Sequence, residues 1–378
     1  MKLTVERDAL FAALSRARKA AASKSSIPIL TMLRLDANED GLTIRATNME
    51  IAYRETVAAN IETPGAVCAG VQQLYSIASN AEAGSQIEMA MKESQLHVAA
   101  GKARFRLATK PIEDFPAIPD VEGSSAEVDA APFLAALARC LPAASNEETR
   151  YYLCGVHLNE TSAGLDVVAC DGVVLIRVSI PMPKGLSLGE NGVIVPRGTM
   201  PAAAEIFGSA ELLSVTVSES GLALAMDGRY LRSRLKDGAF PNYERVIPNP
   251  VFSITVDVAE LRAAVNRLRD FGDADSSWGG FHLGLRLDGD RLKLLARGRD
   301  GQMGRDEIAV EGAGRKFDIG MNGKQLLTML AAIGSETASL GFTSMETNVL
   351  FSSTTDKAFT GAIWPIRYEF ASIDREAA

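Results

Sequence analysis

The chain repeats one pattern three times at a spacing of about one domain, and this repetition restricts the folds open to it more than any other feature. Residues 5–16 read VERDALFAALSR, residues 128–139 read VDAAPFLAALAR and residues 256–267 read VDVAELRAAVNR, at offsets of 123 and 128 residues. A second landmark keeps step, with GLTIRA at 41–46, GLDVVA at 164–169 and RLKLLA at 291–296. A third closes each repeat with an aromatic residue before proline, at Phe115 and Pro116, Phe240 and Pro241, and Trp364 and Pro365. Three markers in register over 378 residues point to a triplicated domain. The boundaries expected are 1–123, 124–250 and 251–378, with residues 369–378 as an extension of the third repeat.

Each repeat reads as α+β. After a short strand at Leu3 to Val5, Leu10, Ala13, Leu14 and Ala17 fall on one helical face, with Asp8 where an N-cap belongs. Alternating runs from Met32, Leu42 and Ile51 have the period of half-buried antiparallel strands. The second half of the repeat restarts with helical stretches near Gln72 to Ser79, Thr199 to Phe207 and Gly323 to Ile333, each followed by alternating strands. The expectation is six similar half-units, each a helix backed by a β meander. If two chains join end to end, such half-units can close into a ring whose helices line the hole.

Composition excludes several classes. Hydrophobic residues at 47% and charged residues at 23% are ordinary for a soluble domain, and no apolar run approaches a membrane span of ~20 residues. With no secretory signal pattern at the N-terminus, a cytoplasmic location is expected. Cys68, Cys140, Cys154 and Cys170 show no Cys-x-x-Cys spacing, and His97, His157 and His282 lack metal-ligand spacing, so no metal is expected. The glycines form neither a phosphate-binding loop nor a dinucleotide fingerprint, so no cofactor is expected. Cys170, Asp171 and His157 can be assembled on paper as nucleophile, orienter and base, but His157 alternates in a strand-like run and the sequence offers no support for a triad.

Net charge is −8, yet residues 9–35 carry Arg16, Arg18, Lys19, Lys24 and Arg34 and no acidic residue. On a helical wheel Arg16 lies roughly 240° from Leu10, so it is expected to point away from the core. Arg139 and Arg267 occupy the same step of their repeats. A solvated helix face is the competing reading of any one of them. Recurrence in three repeats points instead to a basic lining that holds DNA through weak phosphate contacts.

Taken together, several marks resemble the β subunit of bacterial DNA polymerase III, the sliding clamp. They are IPIL at 27–30, DFP at 114–116, RYYLCG at 150–155, ACDG at 169–172, VPR at 195–197, DGAFPNYERV at 237–246 and PIR at 365–367. The resemblance implies a ring-forming, head-to-tail homodimer that encircles double-stranded DNA without sequence preference. It also implies tethering of polymerase and clamp-loader subunits through a short peptide motif, and no catalytic activity of its own. By matching position it places the peptide pocket at Leu153, Cys170, Gly172, Val173, Val174, Leu175, Pro241, Arg245, Val246, Ile363, Trp364, Pro365, Ile366 and Arg367. Interdomain core is the alternative for Leu153, Val246 and Ile363. DNA-facing positions map to Lys24, Arg150, Tyr151, Tyr152 and Arg197, beside Arg16, Arg139 and Arg267; a buried tyrosine pair is the alternative for at least one of Tyr151 and Tyr152. At the dimer joint, Phe105 and Leu107 are expected to meet Phe271, with Lys102, Arg104 and Arg106 facing Asp306 and Glu307.

The chain departs from the family pattern at Val173 and Val174, at Trp364, at Gln72 and Gln73, at Glu147 beside Arg150, at Asp270 and in the tail. These departures leave a specialised accessory clamp, or a clamp-like scaffold or decoy, as the alternative function. Phe370 and Ile373 in the tail raise a further expectation, that it folds over the pocket rim; a frayed terminus is the competing reading.

Overall fold

A computed structural model of the chain describes residues 1–219, 221–274, 279–298, 301–312 and 314–370. Six helices carry the repeat: α1 (Arg7–Ala17), α2 (Val71–Asn80), α3 (Ala130–Cys140), α4 (Thr199–Phe207), α5 (Val258–Arg267) and α6 (Gly323–Ile333). Strands Gly41–Thr47, Gly164–Cys170 and Arg291–Arg297 stand at the second landmark of each repeat. The α+β architecture expected from periodicity is therefore present, with antiparallel pairing throughout the described ladders.

The chain packs as two compact units, residues 1–138 with 182–236 and residues 139–181 with 237–378, so the middle repeat is divided between them. The first unit is organised by a 13-stranded sheet. In it Ile51–Val57 of the first repeat pairs with Arg229–Arg234 of the second. In the second unit Val174–Ile180 of the middle repeat pairs in the same way with Phe359–Ile363 of the third. This unit also holds a four-stranded sheet in the order Met303–Ala309, Arg291–Arg297, His282–Gly289, Arg315–Asn322.

The helices bury the faces that their spacing predicts. Leu10, Ala13, Leu14 and Ala17 of α1 are all inaccessible, as are Leu261, Ala264 and Val265 of α5. The cap of α1 differs from expectation: Glu6, not Asp8, accepts hydrogen bonds from the Asp8 and Ala9 amides at 2.9 and 2.7 Å. Glu6 is the last extended residue, and its longer side chain reaches back over the first turn; Asp8 instead pairs with Arg7 and accepts from the Gly84 amide.

The repeated arginine corrects the reading from the helical wheel. Arg16 does not point freely outward: Nε and Nη2 donate to Glu55 at 3.0 and 2.6 Å, and only 17% of its side chain is exposed. Glu55 is itself buried, held also by the Tyr53 hydroxyl at 2.5 Å and by Arg229 at 3.4 Å. Burial, then the neighbouring Glu55 carboxylate, keeps the Tyr53 phenol protonated far above its ordinary range. Arg139 donates to the Ala332 and Ile333 carbonyls at 2.8 and 2.7 Å and pairs with Asp356 at 2.7 Å, so it caps the C-terminal end of α6, where a cation is favourable. Arg267 pairs with Asp306 at 2.6 Å while remaining largely exposed. The wheel gives a side chain's direction at the helix surface. It cannot register a carboxylate that neighbouring strands bring within reach of a long arginine.

The three positions should therefore respond differently to the same substitution. Arg16→Glu sets a second carboxylate against buried Glu55 and is expected to cost about 3–5 kcal/mol. Arg267→Glu breaks an exposed surface pair and should shift the midpoint far less. Urea denaturation of the two variants checks this, and equal midpoints would show that the Arg16 pair is not structural.

Candidate functional site

The pocket expected from sequence falls wholly within the second unit. Its base is the hairpin of Gly164–Cys170 and Val174–Ile180. Asp171 closes the turn by accepting from the Val173 and Val174 amides at 2.8 and 2.7 Å, and Gly172 adopts φ +96°. A Cβ on Gly172 would stand 2.7 Å from Nη1 of Arg150, so the glycine is needed both for its conformation and for the approach of that arginine. Pairing of Val174 with Ile363, continued by the Trp364 amide donating to the Val173 carbonyl at 2.8 Å, brings the end of the third repeat alongside.

Val168, Leu175, Tyr243 and Ala362 form a buried cluster, with Cys170, Phe240 and Ile247 packed against it. A polar network holds the 240–247 segment to this base. The Tyr243 hydroxyl donates to Asp166 at 2.8 Å and accepts from Asn159 at 3.0 Å, and the Ser179 hydroxyl donates to the other Asp166 oxygen at 2.5 Å. Burial, together with the neighbouring Asp166 carboxylate and against the hydrogen bond from Asn159, pushes the Tyr243 phenol up to about 12, so it remains a donor at neutral pH. His157 stacks on Phe240 at 4.6 Å with the rings 5° from parallel. Asn348 donates to the Val246 carbonyl at 2.7 Å.

Sequence reasoning quoted Phe240 and Tyr243 as landmarks but did not place them in the pocket, and it passed over Asp166, Asn159 and Asn348. Alternation marked these polar residues only as strand positions; their roles come from partners far away in the chain.

Among the residues expected here, Trp364 is 52% exposed and Val246 39%, and Pro241 and Arg245 also reach the surface. Leu153 and Ile363 are buried. Pro365 is buried, while Ile366 pairs with Gly320 through its amide at 2.9 Å. Beyond Trp364, Arg367 and Met345 border a groove of about 1270 Å³ that continues to Tyr368 and Phe370. Tyr368 donates to the Leu295 carbonyl at 3.0 Å, and burial pushes its phenol up to about 12. Phe370 lies against Tyr368 at 4.9 Å with the Arg286 guanidinium over its ring. The tail therefore begins by packing on the four-stranded sheet; Ile373 and the rest of residues 371–378 lie outside the described residues.

The residues mapped to DNA are less free than their sequence suggests. Arg150 donates from Nε to Glu147 at 2.8 Å, and a second contact from Nη2 completes the pair. The hydrogen bonds from Thr149 and Arg150 lower the Glu147 carboxyl below its ordinary range. Tyr151 and Tyr152 meet edge to face at 5.7 Å, and Tyr151 is exposed, so the two are not a buried pair. Lys24 is exposed and Arg197 is half-buried. The nucleophile reading of Cys170 fails on its surroundings. Burial pushes the thiol up to about 11, Asp171 is committed to its turn, and His157 is stacked in the core. Among the described residues no group of three or more His, Cys, Asp or Glu side chains is placed to hold a metal ion.

Comparison with known proteins agrees with this geometry. Residues 1–119 match the DNA polymerase III beta subunit N-terminal domain, and residues 127–242 match its central domain. The chain is 31% identical to the beta sliding clamp of Caulobacter vibrioides, covering 97% of this chain and 100% of the relative. It is 27% identical to the Escherichia coli beta sliding clamp over the same shares. Among solved structures, Caulobacter crescentus pol III beta superposes with a TM-score of 0.90 at 31% identity, and a Bartonella birtlesii sliding clamp bound to griselimycin with 0.92 at 26%. Each match covers 97% of this chain and 100% of the other. By whole-length similarity and by fold, the chain belongs to the beta sliding clamp family, the β subunits of bacterial DNA polymerase III.

Proposed function

We propose that two copies of this chain join head to tail into a ring around duplex DNA and hold partner proteins by a short apolar-ended peptide, without catalysing a reaction themselves. Three domains at 1–123, 124–250 and 251–378, and a cytoplasmic location, go with this reading. Similarity over 97% of the chain to beta sliding clamps is the observation that carries it. In the peptide pocket, the exposed Val246 and Trp364 beside the Leu175 and Tyr243 cluster suit an aliphatic or aromatic anchor.

Two sheet edges support the head-to-tail joint. Strand Ala103–Lys110 is paired along one side with Gln95–Ala100 and on the other only at Thr109 and Lys110. Met303–Ala309 ends its four-stranded sheet. Phe105 on the first strand is 38% exposed, and Phe271, beside Gly304 of the second, is 41% exposed. Unpaired edges carrying exposed aromatics are suited to strand addition by a second copy. Lys102, Arg104 and Arg106 are exposed for Glu307 of such a copy, which among the described residues of its own chain has only Arg291 at 3.8 Å, whereas Asp306 is held by Arg267 at 2.6 Å. Phe271→Arg is expected to convert a dimer to monomers with little change in melting temperature. Sedimentation velocity at micromolar concentration reads this, and an unchanged dimer would remove the edge from the joint.

A specialised accessory clamp is the second reading, favoured by how little of the basic set is uncommitted: Arg16, Arg139 and Arg150 all hold carboxylates of the same chain. Glu147→Ala removes the carboxylate that pairs with Arg150. It should strengthen duplex binding and steepen the salt dependence by about one counterion. Retention on nicked circular DNA after loading by a clamp loader tests the sliding function itself, and failure to load would favour the scaffold or decoy reading.

The Tyr243 network sets a third expectation. Tyr243→Phe leaves Asp166 and Asn159 without a shared partner, at a cost of about 1–3 kcal/mol. The loosened 240–247 segment should bind a clamp-binding peptide more weakly than the parent does, as read by fluorescence anisotropy. Equal affinity would show that the network does not position the pocket.

A further inference from the structure

The first unit contains a groove built on the plan of this pocket. Strands Met32–Asn38, Gly41–Thr47 and Ile51–Val57 answer Gly155–Thr161, Gly164–Cys170 and Val174–Ile180, and Arg229–Arg234 takes the place of Phe359–Ile363. The segment after Phe115 and Pro116 corresponds to the one after Phe240 and Pro241. At the common offset of 123 residues, Arg34 stands for His157, Arg45 for Val168 and Ala52 for Leu175. The architecture is shared, but Arg45 takes the place of an apolar residue and Arg34 that of a histidine, while Arg54 answers Arg177.

Arg34 lies directly across from Arg45, Arg45 from Arg54, and Arg54 from Tyr230, so three guanidinium groups rise in one row from one face of the sheet. The row lines a cleft of about 270 Å³ walled by Pro116, Ala117 and Ile118. Asp36 accepts from Arg34 at 2.9 Å and from Arg45 at 3.3 Å, and Asp120 accepts from Arg54 at 3.1 Å. Two carboxylates accept hydrogen bonds from the three arginines, with Glu113 as a further negative charge near Arg34, and the Nη groups of Arg45 make no hydrogen bond among the described residues. Arg232, across from Ala52 on the same face, has its Nε buried without a hydrogen-bond partner among the described residues. Like charges directly opposite on neighbouring strands destabilise a sheet. Excess cationic donors beside an aliphatic wall form a site complementary to a carboxylate next to an apolar side chain.

We propose that this cleft is a second docking site, which takes an acidic segment of a partner protein with carboxylates beside an aliphatic residue. The inference goes beyond the clamp reading and stands on the arginine row alone. A volume of about 270 Å³ admits one or two side chains of an extended segment. The aliphatic wall gives such a segment contacts that a free inorganic anion cannot use.

The test is a titration of the full chain with a fluorescein-labelled, amidated peptide Gly-Glu-Asp-Leu-Leu-Gly and with its counterpart carrying Gln and Asn for the two acids. The acidic peptide should bind saturably and the neutral one at least about tenfold more weakly. Arg45→Glu should cost the acidic peptide at least about tenfold, and Arg45→Gln, which removes charge without adding a carboxylate, at least about threefold if Arg45→Glu fails to fold. In a Val246→Asp background, which disables the pocket of the second unit, the difference between the acidic and the neutral peptide should persist. Equal binding of both peptides, no saturation at millimolar concentration, or loss of that difference through Val246→Asp and not through the Arg45 variants would overturn the proposal.

Discussion

The functional geometry of this chain depends on one kind of contact, the antiparallel pairing of a strand from one repeat with a strand from the next. Leu175 opposite Ala362 makes it in the second unit, and Ala52 opposite Arg232 makes it in the first. Strand pairing satisfies the backbone groups of both edges, so it extends a sheet without exposing unpaired polar groups. It also fixes which side chains share a face. The segments after Phe115 and Phe240 then pack beside the join, the first walling a cleft and the second closing over a buried cluster.

The two grooves show how a duplicated frame is put to different chemistry. In the second unit the base is Val168, Leu175 and Ala362, and its polar members, Asp166, Asn159 and Tyr243, satisfy one another beneath the surface. A buried polar network with its partners in place makes a firm platform for apolar recognition. In the first unit, Arg45 stands where the second has Val168, and Asp36 and Asp120 hold the three arginines of the row without hydrogen-bonding the Nη groups of Arg45. Backbone register is indifferent to this exchange, because hydrogen bonding between strands does not depend on what the side chains carry.

The same economy appears in the positive charge. Helix-end arginines recur at Arg16, Arg139 and Arg267, yet each is engaged by a carboxylate of its own unit, and Arg139 also caps α6. Arg16 and Arg267 thereby tie a helix to a strand, whereas Arg139 ties one helix to the end of another. Long, flexible side chains on a packed helix find the nearest counter-charge, and burial makes that pairing costly to break.

The sequence by itself determined the triplication, the helix faces and most strands, because offsets and periodicity are local properties that burial only reinforces. Strands Ala59–Thr63 and Gly65–Gly70 escaped it, since small residues and glycine blur the alternation, and so did the use of Glu6 as a cap. The tertiary structure alone decided that Leu153 and Ile363 are core while Val246 and Trp364 are exposed. It alone joined Tyr243 to Asp166, Arg16 to Glu55 and Arg34 to Arg45. Each of these depends on which strand lies beside which, and strand adjacency is set by packing between distant segments that no local pattern records.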